Sequence, residues 1–408
     1  MTRADVIVVG AGAAGMLAAT RAAERGKHVI LLEKNRKAGV KILMSGGTRC
    51  NLTHACDRRG IADAFGKQGR FLHSPLAAMG PEQVVDLFNA NGVATKVEAT
   101  GKVFPQSDRA IDVQRAMLRM LGAAGVDLHL AEPVEAIERS DDADVGFLIR
   151  TSRNAYRTSA VIITSGGQSY PGCGTTGDGY AWAKGLGHRI VPTRPALTPL
   201  LSDAAWVREL QGVTLPDTQV AIGIAGAKPA SRQRGPLLLT HFGLSGPVAM
   251  DLSRIVTERP DADRWVATCD FAPDRSEESL QDELASGGSK QVATIVNKLA
   301  PQRLADALLA AARTPGDRRL AELAKPERRR VIDALKRRQI PITGTQGFKK
   351  AEVTAGGVDL RDVDSRTMQS RHTPGLYFAG EVLDLDGPIG GYNFQAAFST
   401  GWLAGESV

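Results

Sequence analysis

Three glycines, Gly10, Gly12 and Gly15, followed by a carboxylate at Glu33, form the first pattern in the chain that could do chemistry. In a G-x-G-x-x-G turn the first glycine permits a tight bend, the second lets a diphosphate approach the backbone, and the third allows a helix to pack closely on a strand. Ala13 and Ala14 complete the binding turn. Glu33 stands 18 residues after Gly15, where a carboxylate accepts hydrogen bonds from an adenosine ribose, and Lys34 follows it. An acid at this place favours a free 2′-hydroxyl, so FAD or NAD, over a 2′-phosphate.

A second concentration lies in KILMSGGTRCNLTH, residues 41–54, which holds Lys41, Ser45, Gly46, Gly47, Arg49, Cys50 and Asn51. Its glycines give close backbone approach, and Lys41 and Arg49 can neutralise a pyrophosphate or polarise a flavin carbonyl. Cys50 has two readings: a thiol beside an arginine that donates a proton to a substrate carbon, or a small packed residue under the cofactor. His241, in LLLTHFGLSGP, is the other candidate acid, and its plainer reading is a turn residue ahead of a helix capped by Ser245 with Pro247 in its first turn. A second glycine triplet, Gly172, Gly174 and Gly177, lacks the strand and acid that the first has; it reads as a loop that can line the pocket, with Asp178 as a helix cap.

The C-terminal stretch GLYFAGEVLDLDGPIGGYNFQAAFSTGWLAG separates FAD from NAD. It sets Gly380 and Glu381 at the end of a strand and Gly390, Gly391, Tyr392 and Asn393 at the start of a helix. A helix N-terminus suits the pyrimidine end of a flavin, whose reduced form is anionic. A chain that returns to its first unit from the far end therefore embraces FAD, with NADH or NADPH left as a transient reductant.

These residues need elements to hold them. The opening ADVIVVGAGAAGMLAATRAAERGKHVILLEKN alternates strand, glycine turn, alanine-rich helix and strand, a βαβ unit. Further strands are predicted in DLHLAEPVEAIE, which includes Val134, in GFLIRT and in AVIITSGG, which runs into Gly166 and Gly167 as a doubly wound sheet does at its carboxyl edge. Helices are predicted over Pro81 to Asn91, Asp108 to Gly122 and Asn393 to Leu403. The fold class is α/β: a discontinuous Rossmann-like FAD-binding domain over residues 1–190 and 350–408, an inserted β-barrel-like domain over 191–285 with about 341–349, and a basic helical subdomain over 286–340.

Composition sets the remaining bounds. A chain of 408 residues, 43% hydrophobic and 23% charged, is an ordinary globular protein with room for more than one domain. Four cysteines without a C-x-x-C pair argue against a disulfide framework or structural zinc, so no metal is expected. The glycine-broken apolar run from Val6 to Thr20 is too short for a membrane span and has no basic leader, and we expect a cytoplasmic protein with no membrane partner. Net charge is +7, and residues 301–340 carry 11 Lys/Arg against 5 Asp/Glu. Arg328, Arg329, Arg330, Arg337 and Arg338 in that segment are the candidate RNA contacts, mainly to backbone phosphate because few aromatics lie among them; the plain alternative is a solvated helix face.

Taken in order, KILMSGGTRCNLTH, GGQSYPGCGTTGDGYAWAKGLGH, THFGLSGP, AEVTAGGVDLRDVDSRTMQSR and FAGEVLDLDGPIGGYNFQAAFSTG resemble the BaiN/RdsA family of bacterial FAD-dependent oxidoreductases over essentially the whole chain. The resemblance implies that Ser45, Gly46, Arg49, Cys50 and Asn51 lie along FAD and that Gly390 to Asn393 sit at the flavin end. It departs at Thr48, where the family has a third glycine, and at His54, where asparagine is common. Members are associated with dihydrouridine formation in large-subunit ribosomal RNA and with reduction of dehydro bile acids, and some relatives carry an amine-oxidase label. The expected function is NAD(P)H-driven reduction of a C=C bond, foremost that of uridine in ribosomal RNA. The alternatives are a small-molecule flavin reductase or oxidase and a non-enzymatic FAD-containing RNA-binding protein.

Overall fold

The computed structural model describes residues 2–140 and 146–408. They form two compact units, Met1–Pro195 with Glu352–Val408, and Ala196–Ala351. Each has its own apolar core, and the two cores share no residue.

In the first unit, β1 (Thr2–Val9), α1 (Ala13–Glu24) and β2 (Val29–Leu32) make the predicted βαβ unit. All four residues of β2 are buried, as a continuous apolar strand in a parallel sheet should be. The sheet runs Asp127–His129, β2, β1, Ala155–Ile163, Phe147–Thr151, Val134–Arg139, with Leu376–Phe378 also paired to Ala155–Ile163. The first four of these strands and Leu376–Phe378 pair in parallel, and the Phe147–Thr151 and Val134–Arg139 strands extend the sheet antiparallel.

Register decides what this sheet presents. Val9 lies opposite Leu32 and Ile163, and Ile163 lies opposite Phe378. The residues that follow these strands, Gly10, Glu33, Gly166 and Gly380, therefore emerge together at one carboxyl edge, where open parallel sheets bind ligands. The C-terminal helix Tyr392–Ser407 lies against α1, and small residues allow the approach: a Cβ on Gly401 would fall 2.3 Å from the Ala14 carbonyl oxygen, and one on Gly405 would fall 2.3 Å from that of Ala18. A side chain at either glycine would push the two helices apart.

The second unit is built on an antiparallel sheet whose order is Arg338–Ile342, Trp265–Asp270, Thr214–Ile224, Ser231–Thr240, Gly243–Ser245, Leu200–Leu201, Gly344–Thr345. Its two outermost strands are separated in sequence by Thr343 alone, whose N–H donates to the Leu201 carbonyl. The sheet must curl until its edges meet, which is barrel-like closure. The helix Pro247–Glu258 starts one residue later than expected: its cap is Gly246, at φ 87°, in place of Ser245.

The basic segment folds as short helices including Gln302–Ala311 and Lys325–Lys336. Leu320, Leu323, Val331, Ile332 and Leu335, read as its apolar face, are all buried. No helix among the described residues is long and apolar enough to cross a membrane.

Candidate cofactor cleft

Along the carboxyl edge of the parallel sheet runs a cleft whose lining belongs entirely to the first unit. At its floor Gly10 has φ 105°, and a Cβ there would meet the Thr164 carbonyl oxygen at 2.7 Å. Gly15 has a different reason to be glycine, since a Cβ would lie 1.9 Å from the Gly10 carbonyl oxygen and 2.5 Å from Thr164 Oγ1. Gly12 faces open space, with nothing within 4 Å of its Cβ position, and it caps α1 without a side-chain hydrogen bond. Backbone N–H groups of the first helical turn, with Ala13 and Ala14 in the lining, are thus available to an anion.

Glu33 completes this half. It is 8% exposed; Oε2 accepts the Ala11 N–H and Oε1 the Asn35 N–H, each at 2.8 Å. Each oxygen keeps a lone pair for a ribose hydroxyl. Lys34 also lines the cleft, and its ammonium is held by Thr176 Oγ1 and Asp178, each at 2.5 Å. The loop carrying the second glycine triplet enters here through Cys173, Gly174 and Thr175. Asp178 is the first helical residue and not the cap, a place taken by Gly177 at φ 82°.

Across the cleft, Lys41 donates to Ser169 Oγ at 2.6 Å and pairs with Glu381. Glu381 Oε1 also accepts from Ser169 Oγ at 2.5 Å and from the Thr354 N–H at 2.9 Å, while Thr354 Oγ1 receives the N–H groups of Gln168 and Ser169. The charge of Lys41 is compensated inside the protein, so its nearest role is to fix the Gly166–Gly167 turn and Glu381 relative to each other.

The segment 45–51 is arranged differently from expectation. Of residues 41–54 only Lys41 and Ile42 line the cleft. Gly46, Gly47, Thr48 and Cys50 all have positive φ, at 55°, 67°, 69° and 62°. Thr48 is the strained member, because a β-branched residue rarely enters the left-handed region, and this is the physical reason a glycine suits that position. Arg49 turns to Glu98 at 2.7 Å and Asp108 at 3.4 Å and lies over the Phe104 ring at 3.9 Å, so its guanidinium is engaged by two carboxylates and an aromatic face. Cys50 is fully buried, and burial pushes its thiol up to about 12. Cys50 does not line the cleft and Arg49 is drawn to Glu98 and Asp108, so of its two readings the geometry supports the packed residue better than the proton donor.

At the other end, the C-terminal helix begins at Tyr392 behind Gly391, which has φ 93° and supplies no side-chain cap. Asn393, Phe394, Ala396 and Ala397 bring its first turns to the cleft. Asn393 pins the preceding loop, accepting the Gly387 N–H at 2.8 Å and donating to the Gly387 carbonyl at 3.0 Å. Gly391 packs so closely on Thr53 and Asn51 that a Cβ would fall 2.4 Å from the Thr53 carbonyl oxygen and 2.8 Å from Asn51 Oδ1. His54 stacks on Tyr392 at 4.8 Å, and its Nδ1 lies 3.1 Å from the Gly390 carbonyl oxygen. The segment 51–54 thus shapes the helix start from behind.

Two buried polar atoms in this region have no partner within the described protein, Ser165 Oγ, whose residue lines the cleft, and Asn51 Oδ1. Buried polar groups are satisfied as a rule. The open Gly12, the two uncapped helix starts and Glu33 fit a diphosphate carrying a ribose at one end and an electron-accepting ring at the other.

Sequence reasoning missed Glu132. It is 4% exposed, lines the cleft beside Val134, and accepts hydrogen bonds from Tyr156 at 2.7 Å, Thr151 at 2.8 Å and Asn154 at 2.9 Å. Burial opposes its ionisation, yet hydrogen bonds from Tyr156, Asn154, Thr151 and His129 hold the carboxyl down at about 2. Its signal was an acid three residues past the end of the Asp127–His129 strand.

Two expected groups lie in the second unit. His241 is exposed on the turn between Ser231–Thr240 and Gly243–Ser245, edge-on to Phe242. The five arginines are largely committed to their own surroundings. Arg329 pairs with Glu277 at 3.3 Å and Asp333 at 3.4 Å, and Arg337 pairs with the same two acids. Arg328 and Arg330 donate to the Leu323 and Ala312 carbonyls at 2.8 and 2.9 Å. Arg338 lies over Trp206 at 4.6 Å. All five have partners nearby, while Arg329, Arg330 and Arg337 remain exposed at the surface.

A family model described as HI0933-like protein Rossmann domain matches residues 4–407. Ribosomal RNA dihydrouridine synthase of Escherichia coli strain K12 is 33% identical over 418 aligned residues, spanning 100% of this chain and 98% of that protein. The 3-dehydro-bile acid delta(4,6)-reductase of Clostridium scindens is 30% identical over 408 residues, spanning 98% of each. Among solved structures, 3-ketosteroid delta1-dehydrogenase from Sterolibacterium denitrificans superposes with a TM-score of 0.54 at 15% identity, covering 99% of both chains. At that identity the likeness concerns the fold alone.

Proposed function

The chain belongs to the HI0933-like Rossmann family, and from that premise we propose that it is an FAD-dependent oxidoreductase reducing uridine to dihydrouridine in large-subunit ribosomal RNA, with NADH or NADPH as hydride source. The observation that carries the cofactor is the joint placement, at one sheet edge, of an open Gly12 over an uncapped helix start and a buried Glu33 with lone pairs to spare. The substrate reading is supported by a relative of that name which aligns end to end.

FAD bound there supplies hydride transfer between a nicotinamide and an electron-poor C=C bond. The protein's share is to hold and orient. Backbone N–H groups after Gly10 and Gly12 take the diphosphate, and Glu33 accepts from the ribose. The first turn of the C-terminal helix would offer its partial positive charge to the ring end of a bound flavin, and Asn393 keeps the loop before it in one conformation. Neither candidate acid lines the cleft, and His241 belongs to the second unit. Cys50 packs.

A second reading, reduction of a conjugated enone in a small molecule, is favoured by the end-to-end match to the bile acid reductase and by the internal pairing of the arginine-rich helix. One assay separates them. Purified protein is mixed with NADH or NADPH and ribosomal RNA from cells lacking the gene. Donor-dependent conversion of uridine to dihydrouridine is expected; rapid flavin bleaching with unchanged RNA and turnover of a 3-oxo-4,6-diene steroid would install the second reading. A flavin that no nicotinamide reduces would make the protein a scaffold.

A further inference from the structure

Residues 57–78 carry a surface that the cofactor does not use. Asp57 caps the helix Arg58–Ala64, accepting the Gly60 N–H at 2.7 Å. A short 3-10 turn, Gly66–Leu72, and the helix His73–Ala78 follow. The turn folds hard against the first helix, because a Cβ on Gly69 would fall 1.9 Å from the Ala62 carbonyl oxygen. Between them opens a concavity lined by Arg58, Arg59, Arg70 and His73, with Asp63 and Leu76. None of these residues lines the cofactor cleft.

The charges here differ from those of the arginine-rich helix. Between residues 57 and 78 the cations Arg58, Arg59, Lys67 and Arg70 face two carboxylates, Asp57 and Asp63. Arg59 and Asp63 approach only to 3.8 Å, with their side chains 85% and 73% exposed, a pair worth little in water. Arg58 is aimed: its guanidinium donates to Gln83 Oε1 at 3.3 Å and lies over Gly80, whose Cβ would sit 2.8 Å from Arg58 Nε. Arg70 and His73 are exposed on the rim.

We propose that this concavity binds backbone phosphates of the RNA substrate, a proposal that rests on the RNA reading given above. Its shape suits a polyanion that passes across it: Arg58, Arg59 and Arg70 stand on adjacent elements with exposed side chains, and no Phe, Tyr or Trp lines it to stack a base. It is also tied to the flavin end. Gln68, in the 3-10 turn, donates to Asp384 Oδ1 at 3.1 Å and accepts the Asp386 N–H at 3.4 Å, and the Phe65 ring fills the space a Cβ on Gly387 would need. The same loop is pinned by Asn393 at the mouth of the cleft. Phosphates held here keep the strand beside the loop that shapes the reaction site.

The test compares Arg59→Ala/Arg70→Ala with Arg329→Ala/Arg337→Ala in the full FAD-loaded protein, using protein-free large-subunit ribosomal RNA as the probe across a salt series. Flavin absorbance and bleaching by NADH or NADPH monitor folding and the cleft, and should be unchanged in both. The first pair should weaken RNA binding roughly tenfold or more and flatten the slope of log K against log salt by roughly 1.4, two single-strand phosphate contacts. The second pair should leave both near the parent values. Parent-like binding by the first variant would overturn the site while leaving the RNA reading intact, as would equal losses in both variants, which report total charge only. A parent that binds no RNA removes the RNA reading and the site together. Equal binding of a polyglutamate peptide, lost in the first variant, would reassign the concavity to an acidic protein and overturn the proposal.

Discussion

The cofactor cleft and the arginine-rich helix are the two regions that the sequence marks most strongly, and the structure treats them in opposite ways. At the cleft, groups that could be satisfied are left open: Gly12 faces empty space, the helices behind Gly12 and Gly391 start without side-chain caps, and Ser165 Oγ is buried without a partner. Along the arginine-rich helix, Arg329 and Arg337 are paired within the protein, although Arg328 Nε is buried without a partner. Glu327 caps its start at the Ala324 N–H, and Glu277 and Asp333 each bridge Arg329 and Arg337. A binding site shows itself by what it leaves unsatisfied, and a count of charges does not reveal it.

The contrast can be broken first at its steric foundation. Gly15→Val drives a branched side chain into the Gly10 carbonyl and Thr164, and should cost about 3 kcal/mol of stability or more and abolish flavin binding, read by thermal unfolding and absorbance. Gly12→Ala meets nothing within the protein, so the apo fold should lose less than about 1 kcal/mol. Its methyl stands where a phosphate would approach, and FAD affinity should fall at least about tenfold, or about 1.4 kcal/mol. Equal behaviour of the two variants would mean that the turn is only a packing device.

Next comes the buried carboxylate beside the cleft. Glu132 titrates at about 2 against an ordinary 4.5, so its contribution is fully present above pH about 4.5 and is lost as pH falls through about 2. That shift corresponds to on the order of 3 kcal/mol. Urea unfolding should show Glu132→Gln less stable than the parent at neutral pH, with the gap closing between pH about 4.5 and 2. A gap constant across that window would contradict the assignment of the hydrogen bonds to an ionised group.

The smallest effect sharpens the other side of the comparison. Arg329→Ala/Arg337→Ala removes exposed and half-exposed ion pairs, and should lower stability by no more than about 1 kcal/mol, a loss that shrinks in high salt. A much larger loss would make these arginines a structural centre of the second unit.

Much of the first unit was legible because its signals are local. Glycine spacing, a continuous apolar β2 and an acid at Glu33 are tied to one backbone turn, and sheet register then brings Gly166 and Gly380 to the same edge. What was not legible depended on partners far away in sequence. Arg49 beside Cys50 looked like a thiol activated by a cation, yet Glu98 and Asp108 draw the guanidinium aside. Glu132 went unmarked within the predicted strand DLHLAEPVEAIE, because Thr151, Asn154 and Tyr156, which donate to it, lie some twenty residues on. The arginines of 328–338 looked free because Glu277, some fifty residues earlier, could not be seen to reach them. Local conformation can be read from neighbours, whereas satisfaction of charge needs the fold.

The most direct measurement is nucleoside mass spectrometry of ribosomal RNA from the source cells with the gene deleted, and again after complementation with the parent or with Gly12→Ala. Loss of dihydrouridine on deletion, restored by the parent and poorly or not at all by Gly12→Ala, is the expected result. A dihydrouridine level that does not change on deletion would contradict an RNA substrate and move the cleft to small-molecule enone reduction.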